Sequence, residues 1–211
     1  MRNEYLWNAI AAAADIANEG IWMAGAGITR WKLTHGDILD KPADVLVCSA
    51  NVYLNLSGGV GGALLLRYGD AMQRELHRWL AERNRRFISP GMVVATSPCG
   101  APYRAVLHAV AVDAFYQSSP ALIRSAVLTA MEMSANLSAK RVALAALATG
   151  YGRMSMKQFA EGIAPLIGSP HLPIDDVTIC VRTAADAEEL ANALKCDWPN
   201  DGVVTLVKEA K

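Results

Sequence analysis

Short apolar runs that lead into glycine-rich turns constrain the fold of this chain more than any other feature. Residues 45–48 (VLVC) and, after its first arginine, 141–147 (RVALAAL) are apolar runs of Val, Leu, Ala and Cys, which is typical of strands buried on both faces. A glycine-rich turn follows each run, at residues 57–62 and 149–152, and a helical pattern follows each turn. Strands that alternate with helices in this order predict a layered α/β fold around a mixed sheet.

Further strands and helices continue the alternation along the chain. We predict strands around Ile28–Thr34 and in residues 92–96, 103–113, 175–182 and 202–208. We predict helices over residues 3–19, from about Ala63 to Arg83, from Pro120 to about Leu137, over 156–168 with Ser155 as the cap, and over 184–195. No repeat or linker interrupts this pattern, so we expect one domain over residues 28–211 with an N-terminal helical extension over residues 1–27.

Composition supports a folded domain and limits the kinds of partner. Hydrophobic residues form 53% of the 211 residues and charged residues 19%, against a usual charged share of about 25%, which argues against intrinsic disorder. The 20 Lys and Arg residues balance the 20 Asp and Glu residues. General nucleic-acid binding is therefore not expected, because it requires a basic excess to neutralise phosphates, whereas a local site for an anionic ligand stays compatible.

The cysteines and the hydropathy pattern indicate the cellular setting. Cys48, Cys99, Cys180 and Cys196 form no CxxC pair, so we expect neither a disulfide scaffold nor a zinc site. No stretch of about 20 apolar residues is free of charge, and the N-terminal segment lacks the apolar core of a signal peptide. We predict a reduced, cytoplasmic protein without a membrane partner, metal ion or cofactor, and the oligomeric state stays open.

The two glycine-rich turns predict a site for an anion. Glycines let backbone N–H groups approach a ligand closely, and a helix that begins there adds free N–H donors and a partial positive charge. Such turns suit a phosphate or pyrophosphate without any lysine or arginine. Both turns follow strands, so we expect them at the same edge of the sheet. Neither has the spacing of a Walker loop or of a dinucleotide-binding G-x-G-x-x-G motif.

An ordered set of motifs resembles one known family. GDI at residues 36–38, a strand that ends in Ala50-Asn51, and GGV-x-GA at 58–63 are followed by HAVAVD at 108–113 and RVALAALATGYGRM at 141–154. This set, within about residues 28–195, resembles the macrodomain, the ADP-ribose-binding module. The resemblance implies a three-layer α/β/α fold with a central mixed β-sheet, to which the N-terminal helix is an addition.

The resemblance also implies which residues contact ADP-ribose. Asp37 is expected to accept a hydrogen bond from the adenine amino group, with the Ile38 backbone beside the ring, and Asn51 to contact the distal ribose. The two glycine loops are expected to wrap the distal ribose and the diphosphate, with Gly58, Gly59, Val60 and Gly61 in the first and Thr149, Gly150, Tyr151 and Gly152 in the second. Ser57 replaces the first of the family's three glycines, and its hydroxyl is expected to bind or orient water. Asp37 and Asn51 are also residue types that hold turns, so a structural role stays open for both.

Residues that the family uses for catalysis are missing at the matching positions. One hydrolytic group has Asp where this chain has Gly61, and other active members have His where it has Leu56. A third branch uses a lysine, and residues 42–139 contain none. We therefore interpret the chain as a module that binds ADP-ribose, free or attached to a protein or nucleic acid, without efficient turnover.

Two alternatives stay open beside binding. The first is a hydrolase that acts at the distal ribose of an ADP-ribosylated target or of ADP-ribose 1″-phosphate, with Asn51 as the catalytic residue, a loop-bound water and assistance from a substrate phosphate. The second is an interaction protein with a vestigial pocket, in which Trp7, Ala11 and Ala14 of the N-terminal helix form the contact face. Binding and turnover of ADP-ribose ligands distinguish the three.

Three remaining features are interpreted as structural. His108 lies in an apolar strand and is expected in the core, and Asp113 is expected to hold the turn after that strand. The segment ERNRR, residues 82–86, is interpreted as a solvated helix end whose cations complement the helix dipole.

Overall fold

A seven-stranded mixed sheet forms the centre of the protein in the computed structural model, which describes residues 29–199 and 202–206. The strands are β1 (Arg30–His35), β2 (Val45–Ala50), β3 (Val93–Thr96), β4 (Ala105–Val110), β5 (Arg141–Ala145), β6 (Asp176–Val181) and β7 (Val203–Leu206). Their order in the sheet is β3-β4-β2-β5-β6-β1-β7. The inner strands β4, β2, β5, β6 and β1 are parallel, and the edge strands β3 and β7 are antiparallel to their neighbours.

The register of the parallel strands brings their carboxyl ends to one edge of the sheet. Val45 of β2 lies opposite Ala105 of β4 and Val142 of β5, and Arg30 of β1 lies opposite Asp176 of β6. All residues of β4 are buried, as expected for a strand covered on both faces. The segments that leave these strands therefore meet at the same edge.

Helices cover both faces of the sheet. Within the described ranges they are α1 (Gly59–Tyr68), α2 (Ala71–Glu82), α3 (Pro120–Asn136), α4 (Met156–Ile163) and α5 (Ala184–Ala193), with a short 3-10 turn at Ile38–Asp40. α1 packs on α2, whereas α3 packs on α4 and α4 packs on α5. The right-handed crossovers of parallel strands place these two groups on opposite faces. The predicted three-layer α/β/α fold is confirmed.

The prediction of a single helix from about Ala63 to Arg83 is wrong, because the structure has the two helices α1 and α2. Gly69 ends α1 with a φ of 76°, and its N–H donates to the Leu65 carbonyl at 3.0 Å. Glycine favours this left-handed conformation, which is a common way to end a helix. α1 also begins earlier than predicted, at Gly59 inside the glycine-rich turn.

The other predicted elements are confirmed, with ends shifted by a few residues. Ser155 caps α4, since its hydroxyl accepts a hydrogen bond from the Gln158 N–H, and α4 ends at Ile163, before Pro165. Proline cannot continue a helix because it lacks an N–H and clashes with the preceding turn. The helix predicted over residues 3–19 lies outside the described residues.

His108 lies in the core between β2 and β3, as predicted. It is fully buried, with Nε2 3.0 Å from the Thr96 Oγ1 and Nδ1 3.5 Å from the Cys48 Sγ. Burial lowers the pKa of His108 to about 3 and raises the pKa of Cys48 to about 12. Both groups are therefore neutral near pH 7, and each ring nitrogen has a partner.

The described part of the chain contains no helix that is long and apolar enough to cross a membrane. Within the same ranges, no three His, Cys, Asp or Glu side chains are grouped in a way that could hold a metal ion.

Candidate functional site

A cleft of about 770 Å³ opens at the edge where the parallel strands end. Its walls come from the segments that follow β1, β2, β4, β5 and β6, so the cleft crosses the middle of the sheet. We call the part formed after β1 and β6 the β1 end, and the part formed after β2, β4 and β5 the loop end. Both glycine-rich turns line the loop end, which confirms the prediction that they share one edge.

At the β1 end, Asp37 is held through both of its carboxylate oxygens. Oδ1 accepts from the Leu39 N–H at 2.9 Å, which caps the 3-10 turn, and Oδ2 accepts from Arg67 at 2.6 Å. The same guanidinium donates to Asp40 at 2.7 Å, and these two carboxylates raise the pKa of Arg67. Each carboxylate oxygen has two lone pairs, so Asp37 can accept a further hydrogen bond from a ligand. Ile38, beside it, is buried and also lines the cleft.

Residues after β6 complete the β1 end. Cys180 donates through its thiol to the Gly36 carbonyl at 3.5 Å, and burial raises the pKa of this thiol to about 11, so it is neutral near pH 7. Asp186 lines the cleft but uses its carboxylate in a capping box, where it accepts from the Thr183 hydroxyl at 2.7 Å. Arg182 adds an exposed guanidinium to the wall.

At the loop end, the first glycine loop runs directly into α1. Ser57, Gly58, Gly59 and Val60 line the cleft. Gly58 is the N-cap, Gly59 has a φ of 55°, and the Gly62 N–H is the first to bond back, to the Gly58 carbonyl at 3.0 Å. The N–H groups of residues 59–61 therefore have no partner within α1, and the positive end of the helix dipole lies at this wall.

Gly61 lies behind this wall rather than in it. It is buried, and a Cβ built on it would lie 3.2 Å from the Leu56 Cδ2 and 3.3 Å from the Leu56 Cα. Leu56 is itself buried in the core. Residues 56 and 61, the two positions expected from the sequence to lack a catalytic His and Asp, therefore contact each other, and a side chain at residue 61 would press on Leu56.

Asn51 lines the cleft and also holds the loop that leads to the glycines. Its Oδ1 accepts from the N–H groups of Tyr53 at 3.0 Å and Asn55 at 3.2 Å, and its Nδ2 donates to the Asn55 carbonyl at 3.3 Å. Both polar atoms of the amide are engaged in the turn. The structural role that the sequence left open is therefore observed for Asn51, as it is for Asp37.

The second glycine loop lies across the cleft from the first. Thr149 donates to the Ala146 carbonyl at 2.9 Å, and Thr149, Gly150, Tyr151 and Gly152 all line the wall. Tyr151 crosses the cleft, because a Cβ built on Gly58 would lie 2.8 Å from the Tyr151 hydroxyl. Gly152 has no room for a side chain, since a Cβ there would lie 2.5 Å from the Ala148 carbonyl oxygen and 2.8 Å from the Val112 Cγ1.

Tyr116 also belongs to the loop end, although it is not among the site residues predicted from the sequence. Asp113 holds its loop by accepting from the N–H groups of Phe115 and Gln117, both at 2.8 Å, which confirms the turn role predicted for Asp113. The Tyr116 ring lies 6.5 Å from the Tyr151 ring. The aromatic pair Phe115-Tyr116 within a polar segment was the signal for an exposed functional loop. Arg67 gave no comparable signal, because its partners lie far away in the sequence.

The two ends of the cleft differ in their chemistry. The carboxylates among the lining residues, Asp37 and Asp186, both lie at the β1 end. The lining residues of the loop end offer hydroxyls, the two amides of Asn51 and Asn55, and backbone N–H groups, and the described residues place no carboxylate, imidazole or amine in that wall. The loop end can therefore bind an anion through the backbone, but it holds no group that would act as a general base.

Comparison with known proteins identifies relatives of this sequence. The model of the Macro domain family matches residues 47–163. A macro domain-containing protein of Streptomyces griseus is 33% identical over 123 residues, which cover 57% of this chain and 70% of the relative. Another, of Streptomyces nogalater, is 30% identical over 151 residues, which cover 71% of this chain and 83% of the relative.

Solved structures share the fold at lower sequence identity. The Oceanobacillus iheyensis macrodomain with ADP superimposes with a TM-score of 0.70 at 20% identity, over 78% of this chain and 90% of that one. The Trypanosoma brucei macrodomain in complex with ADP-ribose superimposes with a TM-score of 0.62 at 17% identity, over 77% and 68% of the two chains.

Proposed function

The chain belongs to the Macro domain family, and on that premise we propose that its cleft binds ADP-ribose, free or attached to a macromolecule. The family match, over residues 47–163, includes both glycine loops. Two solved macrodomains of the same fold contain ADP and ADP-ribose. The cleft, at about 770 Å³, has the size usual for a small-molecule site.

The pair of facing glycine loops is the observation that carries this proposal. The first loop presents the free N–H groups at the start of α1, and the second closes over it through Tyr151. Backbone donors and a helix dipole suit a diphosphate, and they do so without adding net charge to the protein. An anion site of this kind agrees with a chain whose Lys and Arg residues equal its Asp and Glu residues.

The β1 end supplies the complementary half of the site. Asp37 is an acceptor-only group when ionised, and it suits an exocyclic amino group such as that of adenine. Arg67 and the Leu39 N–H hold the carboxylate in place, so the base would meet a fixed acceptor rather than a free side chain. Ligand orientation follows, with the base at the β1 end, the diphosphate between the glycine loops, and the distal ribose beyond β2.

The chemical groups at the loop end favour binding of the ligand without turnover. The Ser57 hydroxyl is exposed at the wall, but a serine is a weak nucleophile unless a base lies beside it. The carboxylates that line the cleft lie at the opposite end. Asn51 holds its own loop with Oδ1 and one Nδ2 hydrogen, so it keeps one N–H donor for a ligand, and an amide is no general base.

Calorimetric titration with ADP-ribose tests the proposal, with AMP as a fragment control. We expect ADP-ribose to bind clearly more tightly than AMP, which lacks the second phosphate and the distal ribose. Asp37→Asn, which places an amide where an acceptor is needed, should weaken ADP-ribose binding about tenfold. The matched variant Asp70→Asn, at an exposed pair with Arg74, should leave it unchanged. Absence of heat with millimolar ADP-ribose would overturn the proposal and favour an interaction protein with a vestigial pocket.

A turnover assay on a mono-ADP-ribosylated protein separates binding from hydrolysis. We expect no release of ADP-ribose by the wild-type protein. The variant Asn51→Asp keeps the oxygen that accepts the hydrogen bonds of the turn, whereas Asn51→Ala loses it. If ADP-ribose is released by Asn51→Asp but not by Asn51→Ala, the loss in the alanine variant reflects collapse of the loop. Release that stops in both variants would replace the binding proposal with a hydrolase that depends on the Asn51 amide.

A further inference from the structure

The segment after α2 forms an exposed basic and aromatic surface beside the cleft. Residues 81–87 are all exposed, and they include Arg85, Arg86 and Phe87. The Phe87 residue is 62% exposed. A helix end that only caps a dipole needs neither an exposed phenylalanine nor arginines beyond the last turn. The solvated helix end predicted for residues 82–86 is observed, since all are exposed and Arg83 donates to the Trp79 carbonyl at 3.2 Å. That role does not involve Arg85, Arg86 or Phe87.

Two hydrogen bonds connect this surface to the loop end of the cleft. The Ile88 N–H donates to the Val52 carbonyl at 2.9 Å. The loop segments that carry Phe87 and Tyr53 are therefore neighbours. On α2, the His77 Nε2 lies 2.9 Å from the Oδ1 of Asn55, a residue that lines the cleft. We call the surface formed by Tyr53, His77, Arg78, Arg85, Arg86 and Phe87 the α2 rim.

The charges of the α2 rim are available to a partner. Arg78, Arg85 and Arg86 form no ion pair with any residue in the described part of the chain. Arg83, beside them, is held over the Trp79 ring, with its Cζ 4.2 Å from the ring centroid. Tyr53 is 48% exposed and adds a second aromatic ring. Free guanidinium groups interleaved with exposed rings suit phosphates and flat bases together.

We propose that the α2 rim binds a single-stranded polynucleotide to which the ADP-ribose in the cleft is attached. This proposal rests on the proposed function and names the class of target. The rim adjoins the end of the cleft where the distal ribose would lie. The macromolecule is joined to ADP-ribose at this ribose. Arg85 and Arg86 would contact backbone phosphates, and Tyr53 and Phe87 would stack on bases.

Charge and exposure favour a polynucleotide over an acidic protein surface. An acidic peptide would pair with the arginines but would leave the rings of Tyr53 and Phe87 without a matching partner. The zero net charge of the chain explains why the rim alone would bind polynucleotides weakly. A polynucleotide attached to a ligand in the cleft has a raised effective concentration at the rim. A low intrinsic affinity of the rim for the polynucleotide is therefore sufficient.

Fluorescence anisotropy with three probes tests the proposal. The probes are a 12-nucleotide oligothymidylate with ADP-ribose on its terminal phosphate, the same strand without ADP-ribose, and an ADP-ribosylated acidic peptide. We expect the first probe to bind about tenfold more tightly than free ADP-ribose at low salt. Two phosphate contacts predict that this gain falls with salt with a logarithmic slope of about 1.4.

Variants with matched charge changes locate the effect. Arg85→Ala with Arg86→Ala should abolish the gain while leaving the affinity for free ADP-ribose unchanged. Phe87→Ala should reduce the gain by about fivefold without changing its salt slope. Arg124→Ala with Lys140→Ala removes the same charge from α3 and from the amino end of β5, and it should keep the full gain. Thermal unfolding of each variant verifies that it is folded.

Each outcome decides between the proposals. Equal affinity of the first probe and free ADP-ribose would overturn the α2 rim while leaving the proposed function intact. An equal gain for the peptide probe, lost in the same double variant, would make the partner an acidic protein surface instead. Absence of binding by free ADP-ribose itself would overturn the proposed function, and this extension with it.

Discussion

The two ends of the cleft are built from different materials. The β1 end presents side chains that hydrogen bonds hold in place, such as Asp37 between the Leu39 N–H and Arg67. The loop end presents mainly the backbone of two glycine loops, with Gly58 beneath the Tyr151 ring and Gly152 packed against Ala148. A side chain can be replaced by one of similar shape, whereas a backbone surface is disrupted wherever an added Cβ would overlap a neighbouring atom, as at Gly58 and Gly152. The β1 end should therefore respond to substitution by degrees and the loop end abruptly.

The largest effect is expected at Gly152. Gly152→Ala would place a Cβ against the Ala148 carbonyl, and such overpacking typically lowers the free energy of unfolding by about 1–3 kcal/mol. We also expect ADP-ribose affinity to fall more than about tenfold as the second loop shifts. Gly150→Ala is the matched control for the free energy of unfolding, because a Cβ there meets no protein atom within 4 Å. Calorimetry measures the affinity of both variants and thermal unfolding their stability. Equal stability of the two would contradict the tight packing of the Gly152 backbone against Ala148.

The next effect concerns the sheet beneath the loop end. The pKa of His108 is about 3 in the folded protein and about 6.5 in the unfolded chain. The contribution of neutral His108 to the free energy of unfolding is therefore fully present above pH 6.5 and is lost as the pH falls. We expect a loss of about 1–2 kcal/mol between pH 6.5 and 5, measured from urea midpoints. His108→Gln should remove this slope.

Beneath the β1 end, a different group controls the acid response. Burial raises the pKa of Asp176, but hydrogen bonds from Arg30 and Lys32 outweigh it and hold the pKa below its usual value. Its contribution is therefore lost below about pH 4, as the carboxylate protonates. Asp176→Asn should change the urea midpoint near neutral pH. The fall of the urea midpoint between pH 6.5 and 5 should remain in this variant. If that variant abolished the decline, the assignment to His108 would be wrong.

A graded effect is expected from Arg67 at the β1 end. Arg67→Met frees one oxygen of Asp37 and should weaken ADP-ribose binding about threefold to tenfold. It should also reduce the preference for adenine over hypoxanthine in the ligand, because a mobile carboxylate selects an amino group less strictly. Arg74→Met, at a surface pair with Asp70, serves as the control. Titrations with ADP-ribose and its hypoxanthine analogue measure both quantities, and an unchanged preference would show that Arg67 does not position Asp37.

The smallest effect is expected from the Tyr151 hydroxyl. The ring is 70% exposed and covers Gly58 by its shape, so Tyr151→Phe should change ADP-ribose affinity by less than about twofold. Tyr151→Ala removes the cover and should cost about fivefold. A loss in the Phe variant as large as in the Ala variant would mean that the hydroxyl, and not the ring, makes the contact.

Sequence patterns predicted the parts of the site that are local in the chain. Strand β5 and its glycine loop lie within about a dozen consecutive residues, so apolar runs and glycines identify them together. The end of α1 at Gly69 was also local, but the apolar periodicity continues across it and hides the break. A glycine followed by Asp70 was the available signal.

Contacts between distant residues explain what the sequence left unresolved. Arg67 meets Asp37 thirty positions away, and Tyr151 covers Gly58 from another loop altogether. No periodicity encodes these contacts, because they arise only when the strands take their order in the sheet.

Helix α1 has a consequence for the length of the ligand. Its 10 residues begin at the first glycine loop and carry Arg67 in the last turn, and a helix of this size rises about 15 Å. The helix is thus a spacer of fixed length between the anion site and the residue that holds Asp37. A molecule that reaches both places loses its translational freedom once, whereas two separate fragments lose it twice. Fragments of the right chemistry should therefore bind far more weakly than an intact ligand whose span matches the helix.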